Sequence, residues 1–157
     1  MGMAARLRSF LDSQGIRYEV LPHPHTSTSL ETARAAHVPE ERIAKSVVLE
    51  DERGYLMAIL PASCRVSLDA LERQLHRKLE LASEAELAEL FRDCEIGAIP
   101  PVADPYGLSA VIDERLWNLS DVYFEAGDHE DLVHLSGKDF QEIQAHAHHG
   151  RFSREPG

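Results

Sequence analysis

The stretch Ile43-Ala44-Lys45-Ser46-Val47-Val48-Leu49 decides how the chain is read. Its β-branched content predicts a strand. Side chains alternate faces along a strand, so Lys45 points with Ile43, Val47 and Leu49 toward the apolar side. A dry, unpaired ammonium costs several kcal/mol or shifts its pKa. A lysine so placed either lines a cavity, where a ligand or counter-charge meets it, or snorkels from the strand edge to water.

Outward from this stretch the pattern is mixed. Gly54–Leu60 is a second strand, joined to the first through the hairpin turn Asp51-Glu52-Arg53-Gly54. Upstream, Met3, Leu7, Phe10 and Leu11 predict a helix over 3–14, stopped at Gly15, and Arg17–Leu21 predicts a strand. Thr28 with Glu31 has the capping-box spacing for a helix through Ala36. Downstream, Ser67 caps a helix through Leu75, Leu79–Leu81 is a short strand, and Ser83 with Glu86 forms a second capping box. Asp104-Pro105-Tyr106-Gly107 fits a type I turn. Strands follow at Leu108–Ile112, Val122–Ala126 and Leu132–Leu135, and Ser136 opens a last helix carrying Phe140 and Ile143. From His146 to Gly157 the chain reads as a frayed polar tail.

With 157 residues, 43% apolar and 27% charged, one mixed α/β domain over 1–157 is the economical assignment, its core at about 17–145. No apolar run reaches membrane-spanning length and no signal peptide precedes the domain, which predicts a cytoplasmic protein without a membrane partner. The net charge of −11 opposes sequence-independent binding to a nucleic-acid backbone and argues against DNA. It leaves open recognition of one end of a nucleic acid, and Arg73, His76, Arg77 and Lys78 form the one basic cluster. Cys64 and Cys94 lie outside any CxxC pair and read as structural thiols.

Two loops carry candidate chemistry. In Gly97-Ala98-Ile99-Pro100-Pro101 the prolines fix φ and remove two N–H groups, and Ile99 before proline is pushed to an extended conformation. Such a loop presents carbonyls in fixed directions, either to a small polar ligand or as a rigid connector. In Gly127-Asp128-His129-Glu130 the glycine admits a ligand, Asp128 or His129 hydrogen-bonds it, and His129 titrates near neutrality. A tight turn with solvated charges is the plain alternative. No GxSxG, HExxH, P-loop or GxGxxG is present. Neither His23 with His25 nor His146 with His148 and His149 has the ordered spacing of a metal site, so no metal and no cofactor is expected.

In order, the lysine of the 43–49 strand, the Gly97–Pro101 loop, Gly107, Asp113 ending a strand, and Ala126-Gly127-Asp128-His129 resemble the YbaK/ProX family. That family comprises the bacterial prolyl-tRNA editing domain and its free-standing relatives. The resemblance implies a mixed sheet curled into a barrel-like core with flanking helices. It implies hydrolysis of the ester joining a wrong amino acid to tRNA, most simply a mischarged tRNA-Pro. Lys45 is then the essential lysine near the scissile ester. The substrate-binding candidates are Ser46, Gly97, Ala98, Ile99, Pro100, Pro101, Gly127, Asp128, His129 and His23. No protein nucleophile and no metal are implied; water attacks, assisted by the ribose hydroxyl. A chain of this length leaves no room for a synthetase body. Action in trans on the acceptor end is expected, with a synthetase or elongation factor supplying affinity. Ser46 stands where many relatives carry Asn or Thr. The acidic charge keeps a second reading open, a non-catalytic module of the same fold that binds a small amino-acid-like or nucleotide ligand.

Overall fold

The computed structural model describes residues 2–155. In chain order the elements are α1 (Ala5–Ser13), β1 (Glu19–Pro22), α2 (Ser29–Ala36), β2 (Ala44–Asp51), β3 (Gly54–Pro61), β4 (Arg65–Val66), α3 (Leu68–Leu75), β5 (Glu80–Leu81), α4 (Glu84–Leu90), β6 (Ser109–Asp113), β7 (Asp121–Glu125), β8 (Asp131–Ser136), α5 (Gly137–Ile143), β9 (His148–Gly150) and β10 (Ser153–Arg154). Short 3₁₀ turns occupy Glu40–Arg42, Asp104–Tyr106 and Glu114–Leu116. The local signals act as expected. Thr28, Ser67, Ser83 and Ser136 accept backbone hydrogen bonds at their helix N-termini, and Ser83 with Glu86 closes a reciprocal capping box. Asp51 pairs with Gly54 across the two-residue hairpin turn.

Three open sheets result. The largest has the order β5-β2-β3-β6-β9, antiparallel from β5 to β3 and parallel from β3 to β9. A three-stranded antiparallel sheet runs β1-β8-β7, and β10 pairs with β4. The expected curling into a barrel is not what forms. Between the two larger sheets there is a single bridge, Ile43 to Tyr123, after which β2 takes its partners from β3 and β5. One bridging pair is not a ladder, so the sheets pack face to face instead of closing.

Packing explains the two-faced β3, which is buried along nearly its whole length. On one face Ala44, Val48, Met57, Ile59 and Ile112 meet Phe124, Val133 and Leu135 of the smaller sheet, with Leu7 and Leu11 of α1 and Phe140 of α5. On the other face Leu49, Leu56, Ala58 and Leu60 pack on Leu71, Leu79 and Phe152. The polar tail is therefore part of the fold. β9 extends the large sheet, and Phe152, 1% exposed, is a core residue. Asp113 fastens this segment: its Oδ2 accepts from the amides of Phe152 and Ser153, both at 2.8 Å, and its Oδ1 from Arg115 at 3.0 Å. No helix among the described residues is long and apolar enough to cross a membrane.

Candidate active site

A cleft of about 410 Å³ opens beside β2. Its walls are β2 from Ala44 to Val48, the N-terminus of α2 with Ser27 and Thr28, the β5–α4 connection at Leu81 and Ala82, the loop residues Ile96, Gly97 and Ile99, and Glu125 at the end of β7. Leu81 and Ile96 are exposed apolar side chains at its rim, 60% and 43% accessible.

Lys45 lies opposite Leu60 in the β2–β3 register and shares the face of Val47 and Leu49, as the alternation predicts. It is half-buried, and it also borders a second hollow made by Thr28–Leu30 and Ala62–Arg65. Burial holds its ammonium below the usual lysine range; Cys64 opposes that shift and Arg65 adds to it. Among the described residues no carboxylate pairs with it. Ser46 points the other way and donates to the Ile99 carbonyl at 3.0 Å, tying the strand to the Gly97–Pro101 loop.

That loop divides between lining and support. Gly97 and Ile99 face the cleft, while Ala98, Pro100 and Pro101 are buried behind it. The Pro101 carbonyl accepts from Gln144 at 2.6 Å, which anchors the loop to α5's end. Gly97 has φ +90°, and a Cβ there would lie 3.2 Å from the His129 ring and 3.3 Å from the Ser27 carbonyl. Substitution at Gly97 therefore burdens the fold as well as the cleft, because a side chain is strained at that φ.

The Ala126–His129 segment sits behind the cleft wall and does not line it. Gly127 (φ +110°) faces α1, since a Cβ would meet Ala4 at 2.9 Å and Cys94 at 3.3 Å. It is a packing glycine and does not open toward the cleft. Asp128 is buried; its Oδ1 accepts from the amides of Glu130 at 3.0 Å and Asp131 at 2.9 Å. The neighbouring Asp128 carboxylate, with burial, pushes the Asp131 carboxyl up to about 6. Desolvation works against Asp128, yet the bonds from Asp131 and the two amides hold its carboxyl below the usual range. His129 is 4% exposed, at φ +59°, and its Nε2 donates to the Ile96 carbonyl at 2.9 Å. His23 is buried too, with Nδ1 donating to the Pro24 carbonyl at 2.7 Å.

Glu125 was not singled out by the sequence, and the structure places it at the cleft. It is 4% exposed and its Oε1 accepts from Thr32. Burial pushes its carboxyl up, with Thr32 and the two imidazoles pulling the other way. His25 packs on His129 at 5.6 Å and pairs with Glu95, whereas His146 pairs with Asp104 and His149 packs on Trp117. Among the described residues no group of three potential metal ligands is assembled. Neither thiol is poised to react. Cys64 is buried in the second core, and burial pushes Cys94 up to about 12. The basic cluster forms a separate open depression, and its Arg77 is paired to Asp51.

The model of the aminoacyl-tRNA editing domain matches residues 23–143. Among solved structures, a candidate trans-editing enzyme for prolyl tRNA synthetase is similar at 26% identity and a TM-score of 0.84, with 98% of this chain and 97% of that one covered. The hypothetical protein APE2540 is similar in fold at 23% identity and a TM-score of 0.83, covering 95% of this chain and 99% of that one. A candidate signal transduction protein from Marinobacter aquaeolei VT8 carries the same fold at 19% identity and a TM-score of 0.80, covering 98% of this chain and 31% of that larger one. No curated protein sequence matches the chain.

Proposed function

The chain belongs to the aminoacyl-tRNA editing domain family, and from that premise we propose that it is a deacylase acting in trans on mischarged tRNA, with tRNA-Pro the first candidate. The observation that carries this reading is Lys45: a half-buried cation without a counter-charge among the described residues, in a cleft of about 410 Å³. An aminoacyl ester at the end of a polyanion supplies what the cleft lacks. Lys45 meets either the phosphate near the terminal nucleoside or the oxyanion that develops as water attacks the ester carbonyl. A fixed charge in a partly water-excluded site favours the transition state without reorganising at the moment of reaction.

The remaining residues hold and screen the substrate. Gly97 and Ile99 offer backbone to the aminoacyl group, with the Ile99 carbonyl fixed by Ser46. His129 braces Ile96 and so sets the loop's position. Leu81, Ile96 and Leu87 give the cleft an apolar side. Water is the nucleophile, and the vicinal ribose hydroxyl of the tRNA assists it; the protein contributes no covalent intermediate. The likeness to the candidate trans-editing enzyme supports both the trans mode and tRNA-Pro. The net charge of −11 favours a partner, a synthetase or elongation factor, that holds the body of the tRNA.

A panel of mischarged tRNAs, with tRNA-Pro carrying several small amino acids, tests the proposal. Release of amino acid from at least one member, above the rate of spontaneous hydrolysis, is expected. A folded sample that hydrolyses none, alone or with a synthetase present, overturns it.

A further inference from the structure

Behind the cleft lies a buried polar wall in which several atoms lack hydrogen-bond partners. His23 Nδ1 faces a carbonyl and must donate, and its Nε2 meets no hydrogen-bond partner. His129 Nε2 likewise faces the Ile96 carbonyl, and its Nδ1 meets no partner. Thr32 has one hydroxyl proton, offered between the Thr28 carbonyl at 3.0 Å and Glu125 Oε1. Thr26 can feed the Thr32 oxygen at 2.6 Å but does not add a donor for Glu125. Three buried polar atoms therefore remain without a hydrogen-bond partner: His23 Nε2, His129 Nδ1 and Glu125 Oε2. The fourth buried orphan of this region, Asp128 Oδ2, belongs to the turn that faces the Asp131 side and does not line the cleft.

Buried acceptors without donors are costly, and a carboxylate most of all. His23 eases Glu125 by charge only: its Nε2 lies 3.7 Å from Oε2, at ion-pair range and beyond a hydrogen bond. Of these groups only Glu125 lines the cleft, where the other charged residues are Lys45 on β2 and the exposed Glu84 at the mouth. The cleft is thus bipolar: on one wall an ammonium with no carboxylate partner among the described residues, on another a buried carboxylate whose Oε2 has no hydrogen-bond donor. An aminoacyl ester has the reciprocal pattern: a cationic α-ammonium on one side of the carbonyl and an anionic backbone on the other.

We propose that Glu125 is the anchor of the substrate's α-ammonium group, so that the site takes esters of free amino acids and rejects those whose amino group is acylated. This rests on the deacylase reading and names its substrate class more narrowly. Bound beside Glu125 in the cleft, the ammonium supplies the donor that this carboxylate lacks. An N-acyl group removes the charge and sets a carbonyl against the buried carboxylate. The consequence is a filter that spares peptidyl and formylated esters, whatever amino acid they carry.

The test compares an aminoacyl-tRNA with its N-acetylated form, using the wild-type protein, Glu125→Gln and Glu125→Asp. Acetylation should lower kcat/KM at least about 30-fold in the wild type, the effect of breaking a buried charged hydrogen bond. Glu125→Gln should lose as much on the free substrate, and the two losses should not add. Equal hydrolysis of both substrates by the wild type overturns the proposal and leaves the deacylase reading standing, and no variant is needed for that result. Hydrolysis of neither overturns the deacylase reading; the anchor is then decided by titrating alaninamide and N-acetylalaninamide while following the protein's NMR spectrum. Shifts around Glu125 with the first alone, absent in Glu125→Gln, support it. Identical responses, or none, overturn it.

Discussion

Replacing Lys45 with Met separates the two reasons a lysine can sit in a strand. Met keeps most of the aliphatic stem, on the strand face shared with Val47, while removing the charge, so little packing is lost. The ammonium has no carboxylate partner to leave stranded, and burial is the main influence holding its pKa down. Stability should therefore hold or rise by no more than about 1 kcal/mol, a Tm change of about 0 to +4 °C for a domain of this size. The sign can be checked against pH. Because the folded state binds this proton less tightly than the unfolded chain, the penalty is present while Lys45 is charged and disappears above its ordinary value of 10.5. The stability gap between variant and wild type should accordingly be widest near neutral pH and close as pH rises past that value. Activity should move the other way, falling about 10²–10³-fold, as when one electrostatic contact to a developing oxyanion is lost. Deacylation kinetics on the mischarged-tRNA panel, run beside thermal and denaturant melts, measure both. Retention of more than about a tenth of the activity, a loss under about 1.4 kcal/mol in the barrier, refutes the role given to Lys45. Destabilisation beyond about 3 kcal/mol would refute the account of it as an unpaired cation.

Gly97→Ala should destabilise the fold by roughly 2–4 kcal/mol, combining the strain of a side chain at positive φ with crowding of His129 and Ser27, and should cut activity as well; an unchanged melt argues against the loop geometry. The raised carboxyl of Asp131 stabilises the fold fully below its ordinary 3.8, and that contribution is lost as pH rises through about 6. Asp131→Asn, which mimics the protonated form, should flatten this part of the stability profile, and parallel profiles for both proteins would rule out the shared proton. Activity should survive exhaustive chelation, and loss restored by one specific metal would return the histidines to consideration. Binding of a non-hydrolysable aminoacyl-tRNA analogue should show a log–log salt slope of about −2 to −3, since Arg73, Arg77 and Lys78 are few and Arg77 is already paired; a slope steeper than about −6 would require a broad basic face.

Much of this architecture is legible in local chemistry. The capping residues, the hairpin turn and the β2 alternation are short-range, and each appears where its residues predict it. The arrangement of sheets is not short-range. Whether the strands close depends on how many residues bridge β2 and β7, and only Ile43 and Tyr123 do. The C-terminal strands were hidden by composition, because one aromatic, Phe152, and one distant carboxylate, Asp113, hold a polar segment in place. Glu125 escaped for a related reason. Alternation along β7 sets it with Tyr123 and opposite Val122 and Phe124, which reads as a solvent face. Residues 23–36 cover that face, and their approach is fixed by contacts more than a hundred residues away in sequence. Gly127 was legible as a glycine that something must approach closely, but not that the neighbour is Ala4 of the same chain.

The pairing of β1 with β8 has a consequence for synthesis. Glu19 and His134 are 115 residues apart, and the roof of the cleft at Ser27–Ser29 hangs from the strand that ends at Pro22. A nascent chain must hold that segment unanchored on the order of ten seconds before β8 leaves the ribosome. Non-local pairings of this kind are slow to form, because the loop entropy is lost before any contact repays it. Lys45 and the β2–β3 hairpin can form early, whereas the cleft becomes complete only near the end of translation. Refolding followed by a probe on β2 and by a ligand in the cleft should therefore give two different rates, the second slower.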